Sequence, residues 1–173
     1  PTPGLAADVT TALVEWLAGV ARTTAKTTIC TAHQPAKDEY EKFNLALVLG
    51  QGGMPIYYGP TKDGYKFFGS FLERIGKTNT VDNPRDMFDM LNQRERPVWD
   101  ALRAQNPHTT RYAARQAAAR EWNAEFFNPH NPIFQKMFSG VRAVGAGSHQ
   151  PGVQRGRGRT GGQFFLLFSR YFK

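Results

Sequence analysis

The sequence has a single cysteine, Cys30, among its 173 residues, and only four histidines. One thiol excludes a disulfide within the chain, and so few soft ligands give no reason to expect a structural zinc site. No apolar run reaches the length of about 20 residues that a membrane-spanning helix needs. The chain opens with Pro1–Gly4 instead of a basic segment followed by an apolar one, so we expect no secretory leader and interpret it as a fragment or a processed product.

Acidic side chains are scarce in the second half of the chain, and the last of them is Glu125. Residues 1–100 hold eleven Lys and Arg against twelve Asp and Glu, whereas residues 101–173 hold eleven against two. A basic half of this kind suits either a nucleic acid or an anionic membrane surface. With 40% hydrophobic and 21% charged residues, the composition is that of a globular protein.

The first half of the chain alternates helical and strand patterns. We predict helices over about 8–22 and 61–75, and strands over 27–32, 45–49 and 54–58, the last at a sheet edge because it contains a proline. This order predicts the closing part of an α/β sheet, which is too small to be a complete doubly wound domain. Without further strands, we expect the strand at 45–49 to have exposed edges.

The second half is mainly helical in pattern. Asn83 followed by a proline predicts a helix start, and residues 97–126 predict two further helices. Residues 139–162 have the composition of a flexible basic linker. Residues 163–173 form a dense apolar segment that ends in cations, which suits either a helix at a membrane interface or a terminal helix docked on the core.

The histidine at position 33 is the first candidate functional residue. It directly follows a predicted strand and is followed by Gln34 and Pro35, so its imidazole is expected at the carboxyl end of that strand, where open α/β sheets bind ligands. The alternative is a histidine that hydrogen-bonds to neighbouring backbone. A nucleophilic pair with Cys30 is not favoured, because that thiol is expected to be buried in the strand.

Two glycine-containing motifs have alternative interpretations, one structural and one functional. Gly50–Gly53 lies between two strands and lacks the following lysine of a phosphate-binding P-loop, so we predict a hairpin turn. Arg155–Arg159 alternates arginine and glycine and resembles RNA-binding segments, although no aromatic residue is interleaved. A solvated basic linker remains the other interpretation.

Two motifs together resemble the ATP-binding cassette (ABC) transporters of subfamily G. Pro1–Leu5 is similar to the family's D-loop, Pro-Thr-Ser-Gly-Leu-Asp, and Thr28–Pro35 is similar to its switch or H-loop, Thr-Ile-His-Gln-Pro. Further segments match the family in the same order: Phe43–Leu49, Gly52–Pro60, Asn83–Asp89 and Gln163–Arg170. The likeness is strong over residues 1–90 and 163–173 and weak over 95–160.

The resemblance implies a fold and a set of site residues. The fold would be α/β: the C-terminal part of a P-loop NTPase (ABC ATPase) domain, with a partial sheet and a mainly α-helical extension. His33 would be the switch histidine that contacts the γ-phosphate of ATP and the attacking water. Pro3, Gly4 and Leu5 would belong to the D-loop, which faces the second cassette of the dimer. ATP and Mg²⁺ would be the cofactors of the intact parent, and no other metal is implied.

The resemblance also implies an organisation into four parts. Residues 1–78 would be the C-terminal part of the nucleotide-binding domain, 79–138 a helical extension and 139–162 a flexible basic linker. Residues 163–173 would be an amphipathic helix leading to a transmembrane domain after Lys173. The partners would then be a second nucleotide-binding domain and the membrane, with no nucleic acid, and the location would be the cytoplasmic face of a membrane.

Three positions depart from the family pattern: Pro3 stands for a serine, Ala6 for the D-loop aspartate and Asn44 for an aspartate. Ala6 is compatible with a degenerate ATP site. The Walker A, signature and Walker B motifs would all precede Pro1, so the chain alone is expected to be inactive as an ATPase. Two other hypotheses stay open, namely a basic nucleic-acid-binding module that uses the Arg-Gly segment and a structural helical adaptor.

Overall fold

A computed structural model describes residues 7–24, 26–139 and 164–169 of the chain. Within these ranges the chain forms six α-helices and four β-strands. In chain order they are α1 (Ala7–Thr24), β1 (Thr28–Ala32), α2 (Lys37–Glu41), β2 (Leu45–Leu49), β3 (Pro55–Pro60), α3 (Thr61–Arg74), α4 (Pro84–Gln105), α5 (Arg111–Phe126), α6 (Pro132–Phe138) and β4 (Phe164–Ser169).

The four strands form one mixed sheet in the order β1-β4-β2-β3. The strand β4 runs parallel to both of its neighbours, and β3 is antiparallel to β2. Leu166 lies in the middle of β4, opposite Cys30 on one side and Ala46 on the other. The carboxyl ends of the three parallel strands therefore lie at the same edge of the sheet, and His33 and Gly50 are the residues that follow β1 and β2 there.

The prediction of an amphipathic helix over residues 163–173 is wrong for residues 164–169, which form the strand β4. A continuous apolar run has neither a helical nor an alternating period, so it fits a strand covered on both faces as well as a helix. Between β1 and β2 its backbone groups find partners on both sides, and buried backbone groups require such partners. The expected exposed edges of β2 are also wrong, because β2 pairs with both β4 and β3. Residues 163 and 170–173 lie outside the described part of the chain.

The predicted strands at 27–32, 45–49 and 54–58 and the helix at 61–75 are confirmed, with shifts of one or two residues at their ends. The hairpin turn between β2 and β3 is confirmed as a short 3₁₀ segment, Gln51–Gly53. Gly52 and Gly53 have φ angles of 77° and 73°, a left-handed conformation that glycine adopts without a steric cost. Gly50 is tightly packed, since a Cβ atom there would lie 2.8 Å from Cβ of Ala119.

The first helix, α1, is confirmed, but it buries Val14, Ala18 and Ala21 rather than the larger residues of the predicted apolar pattern. Val9 and Trp16 belong to that pattern and are 47% and 64% exposed. Their spacing of seven residues places them on one outward face of the helix.

In the second half, Asn83 is the N-cap of α4, and its side-chain oxygen accepts a hydrogen bond from the backbone N–H of Arg85 at 2.9 Å. The prediction of two further helices over residues 97–126 is wrong for the first of them, because α4 continues through Pro97 to Gln105 and only α5 begins within that range. Proline removes a single N–H from the helix interior and can be accommodated at a cost of about 3 kcal/mol. The apolar residues of α4 that are buried in the core all precede Pro97.

The core is dominated by aromatic rings from α3, α5 and β3. Trp122 of α5 lies 5.6, 5.1 and 5.2 Å from the rings of Phe67, Phe68 and Phe71 of α3, measured between ring centroids. Each such ring contributes about 1.5–3 kcal/mol through burial. Residues of α4 and α5 thus share one hydrophobic cluster with the sheet and α3. The division of the chain at residue 78 stays a prediction.

Arg94 fastens α4 to this aromatic core. Its guanidinium carbon lies 3.9 Å from the ring centroid of Trp122 and 4.7 Å from that of Phe71. Its Nη2 donates to Oε2 of Glu125 at 2.7 Å, and Glu125 also pairs with Arg74. A cation on an aromatic face contributes about 0.5–2 kcal/mol, the higher value when the cation is desolvated, and the Arg94 side chain is only 12% exposed.

The central place of β4 predicts the effect of Leu166→Pro. Proline removes a backbone N–H and leaves a carbonyl of a neighbouring strand without its partner, which costs about 1–3 kcal/mol. We expect the chain carrying Leu166→Pro to lose most of its cooperative thermal transition, followed by circular dichroism. The matched control Leu166→Val keeps the N–H and should retain the transition; equal midpoints for the two variants would contradict the pairing of β4.

Candidate functional site

The candidate site is the loop His33–Ala36, which joins β1 to α2. His33 is exposed and directly follows the last residue of β1, so the expected position at the carboxyl end of a parallel strand is found. Gln34 has a φ angle of 53°, which makes it the one non-glycine residue of the described chain in the left-handed region. A non-glycine residue held in that region costs about 1–3 kcal/mol, and such strain persists where the surroundings fix the backbone.

The end of the loop is held by a buried carboxylate, Glu39, which is 7% exposed. The backbone N–H of Ala36 donates to Oε2 of Glu39 at 3.1 Å, and the backbone N–H of Tyr40 donates to the carbonyl oxygen of Ala36 at 2.9 Å. The hydroxyl of Thr11, on α1, donates to Oε1 of Glu39 at 3.2 Å. Glu39 therefore connects the end of the loop to the first helix of the chain.

A cavity of about 270 Å³ lies beside the loop, between α1 and the end of β1. Its walls come from α1, β1, the loop, α2 and the segment between α2 and β2, and they are mostly apolar. They are formed by Thr10, Leu13, Val14 and Leu17 of α1, Cys30–Ala32 of β1, His33–Ala36 of the loop, and Glu39 and Phe43. Glu39 and Thr10 are the buried polar side chains of this wall, with 7% exposure each.

Cys30 also lines this cavity and is partly buried. Burial raises the pKa of its thiol above the ordinary value, since the uncharged thiol is favoured in apolar surroundings. A thiol of this kind is not an activated nucleophile, which agrees with the expectation that Cys30 and His33 do not form a nucleophilic pair.

The other residues predicted to take part in the site are placed as follows. Gly4 and Leu5, together with Pro3 and Ala6, lie outside the described part of the chain, as do the arginines of Arg155–Arg159. Asn44 precedes β2, and its carbonyl oxygen accepts a hydrogen bond from the backbone N–H of Thr61 at 3.3 Å.

Neither Thr11 nor Glu39 carries a complete motif in the sequence. A glutamate three residues after a helix N-cap is half of the capping-box signature, but the other half requires Ser or Thr at the N-cap, and Ala36 stands there. The contact with Thr11 spans 28 positions of the sequence and has no local signal.

Neither a metal cluster nor a membrane span is found in residues 7–24, 26–139 and 164–169. No three His, Cys, Asp or Glu side chains in these ranges are grouped so as to hold a metal ion. None of the helices in these ranges combines the length and the apolar character needed to cross a membrane.

Comparison with characterised proteins gives a consistent set of relatives. The chain is 34% identical over 88 residues to the ABC multidrug transporter SNQ2 of Candida glabrata, which covers 50% of this chain and 6% of the relative. It is 38% identical over 60 residues to ABC transporter G family member 41 of Arabidopsis thaliana, and this match covers 35% of this chain and 4% of the relative. It is 25% identical over 146 residues to ABC transporter G family member 11 of Dictyostelium discoideum, and this match covers 80% of this chain and 10% of the relative.

No protein-family model matches the chain, and no solved structure matches it. The relatives nevertheless share one class, the ABC transporters. The chain is similar to a part of each of them, two of the three are G family members by name, and it spans a tenth or less of the length of the three relatives described above.

The raised pKa of Cys30 predicts slow alkylation. Since the thiolate is the reactive form, the folded 173-residue chain should react with iodoacetamide more slowly at pH 7.5–8 than the same chain in denaturant, and the rate should rise as the pH is raised further. The reaction is followed by the mass of the modified chain. A folded-state rate equal to or above the denatured-state rate would contradict the assignment of a buried, neutral thiol.

Proposed function

We propose that this chain is the C-terminal part of the nucleotide-binding domain of a G-type ABC transporter, with the P-loop NTPase fold in the intact domain. The observation that carries the proposal is the position of His33 at the carboxyl end of β1, in the His-Gln-Pro motif of a chain homologous to that family. The parent transporter would couple ATP hydrolysis to export across a membrane.

In this proposal His33 acts on the γ-phosphate and on the attacking water. Phosphoryl transfer depends mainly on positioning and on electrostatic stabilisation of the transferred group, and an exposed imidazole at a strand end can donate a hydrogen bond to a phosphate oxygen or orient a water. The donor chemistry of His33 thus fits the phosphate of ATP.

Magnesium would neutralise the charge on the phosphates in the intact parent. In P-loop NTPases the ion is held by the P-loop Ser or Thr and the Walker B Asp, which belong to motifs that would precede Pro1 in the parent. We therefore assign no Mg²⁺ ligand to this part of the parent.

The partners follow from the same proposal. Gly4 and Leu5 would face a second nucleotide-binding domain across the ATP site, and Ala6, in place of the family's aspartate, would weaken communication between the two sites. A transmembrane domain would follow Lys173, and the chain would be held at the cytoplasmic face of the membrane. Because β4 pairs within the sheet, the connection to that domain would begin after Ser169.

The proposal predicts the effect of His33→Ala in the intact parent transporter. Removal of one hydrogen-bond donor that stabilises a transition state lowers kcat by about 10²–10³-fold in other enzymes. ATPase activity should therefore fall by about a hundredfold or more. ATP turnover in membranes or detergent, measured as phosphate release, checks this outcome.

The matched control is His108→Ala, which removes an exposed histidine between α4 and α5 and should leave turnover unchanged. Unchanged turnover in His33→Ala would contradict the proposed role. It would favour the hypothesis that the chain is a structural adaptor.

A further inference from the structure

The contacts of Glu39 carry an inference beyond the role of His33. We infer that Glu39 is a positioning residue for the His33 loop, and that it ties this loop to α1 through Thr11. The inference rests on the proposed function, because it assigns Glu39 to the support of the same histidine.

The loop is held at both ends. Its start is fixed where Ala32, the last residue of β1, lies opposite Phe168 of β4. Its far end is Ala36, whose backbone N–H donates to Glu39. Between these ends Gln34 is held in the left-handed region, and Pro35 has no backbone N–H to donate. Because the loop is short, a displacement of Ala36 would be passed on to Gln34 and His33.

Glu39 fixes that far end with both carboxylate oxygens. Oε2 accepts the backbone N–H of Ala36 at 3.1 Å, and Oε1 accepts the hydroxyl of Thr11 at 3.2 Å. Hydrogen bonds to an ionised acceptor are roughly twice as strong as neutral ones. Two donors from different elements thus share one buried carboxylate, and neither can move far without losing its bond.

Thr11 lies in the second turn of α1, a helix that begins at Ala7 and directly follows the residues that resemble a D-loop. A shift of α1 would therefore be transmitted through Glu39 to the loop that carries His33. A second link between α1 and α2, the ion pair of Lys42 and Glu15 at 2.6 Å, is more exposed, with side-chain exposures of 28% and 63%. Exposed ion pairs contribute about 0–1 kcal/mol, so the buried Glu39 is the stronger connection.

The functional experiment uses Glu39→Gln and Thr11→Val in the intact parent transporter. The glutamine has one acceptor oxygen for two donors, and the valine keeps the shape of threonine without its hydroxyl. We expect kcat for ATP to fall about tenfold in each variant with KM for ATP unchanged, because a small misplacement of a catalytic group reduces the rate without weakening substrate binding. Thr11→Ser, which restores a hydroxyl, should recover most of the lost turnover.

The matched control is Asp38→Asn, which removes the same charge from the neighbouring, exposed position of α2. It should leave kcat unchanged. A kcat for Glu39→Gln equal to that of Asp38→Asn, in a background where His33→Ala is inactive, would overturn the inference and leave the proposed function standing.

A structural readout separates the two proposals further. Hydrogen exchange of the Ala36 amide, measured by NMR in the 173-residue chain, should be about tenfold faster in Glu39→Gln than in the unsubstituted chain and unchanged in Asp38→Asn. Unchanged exchange in Glu39→Gln would overturn the inference. If exchange becomes faster as expected but His33→Ala keeps full ATPase activity, the contact is real and it is the proposed function that fails.

Discussion

The pairing of β4 with β1 on one side and β2 on the other joins the sheet into one unit. Without β4, the strand that precedes His33 would share no backbone hydrogen bonds with the hairpin of β2 and β3. An unpaired backbone group in an apolar environment costs about as much as a lost hydrogen bond, and β4 supplies pairing partners to both β1 and β2. The orientation of the candidate site relative to the core therefore depends on a strand that is more than 100 residues away in the sequence.

A second set of contacts joins the helical half to this sheet. Trp122 brings α5 onto the aromatic face of α3, and Arg94 brings α4 onto the same rings with its charge compensated by Glu125. The polar contact between α1 and α2 runs from Thr11 to the buried carboxylate of Glu39, which also accepts the backbone N–H of Ala36. The aromatic packing thus lies near β3, one outer strand of the described sheet, and the hydrogen-bonded loop of His33 follows β1, the other outer strand.

Several elements of the fold could be predicted from short stretches of the sequence alone. The strand β1 was predicted from a β-branched run, β2 from a continuous apolar run, the turn from glycines between two strands and the N-cap at Asn83 from an Asn-Pro dipeptide, and all are found. The apolar run that forms β4 has neither a helical nor an alternating period, so the sequence does not distinguish a helix from a strand there. The run is a strand because it pairs with β1 on one side and β2 on the other. The helix α4 continues through Pro97, although proline usually ends a helix, and the contact of Glu39 with Thr11 spans 28 residues of sequence. The position of His33 was predictable, whereas its support was not.

The proposal that the chain continues an ABC-type nucleotide-binding domain is tested most directly by the coding sequence immediately upstream of Pro1. We expect an apolar strand that ends in Asp-Glu just before Pro1, preceded by a Ser-Gly-Gly signature and a P-loop lysine. Asp without the following Glu would keep the fold and indicate a degenerate ATP site. A start codon or an unrelated sequence at that position would contradict the proposal.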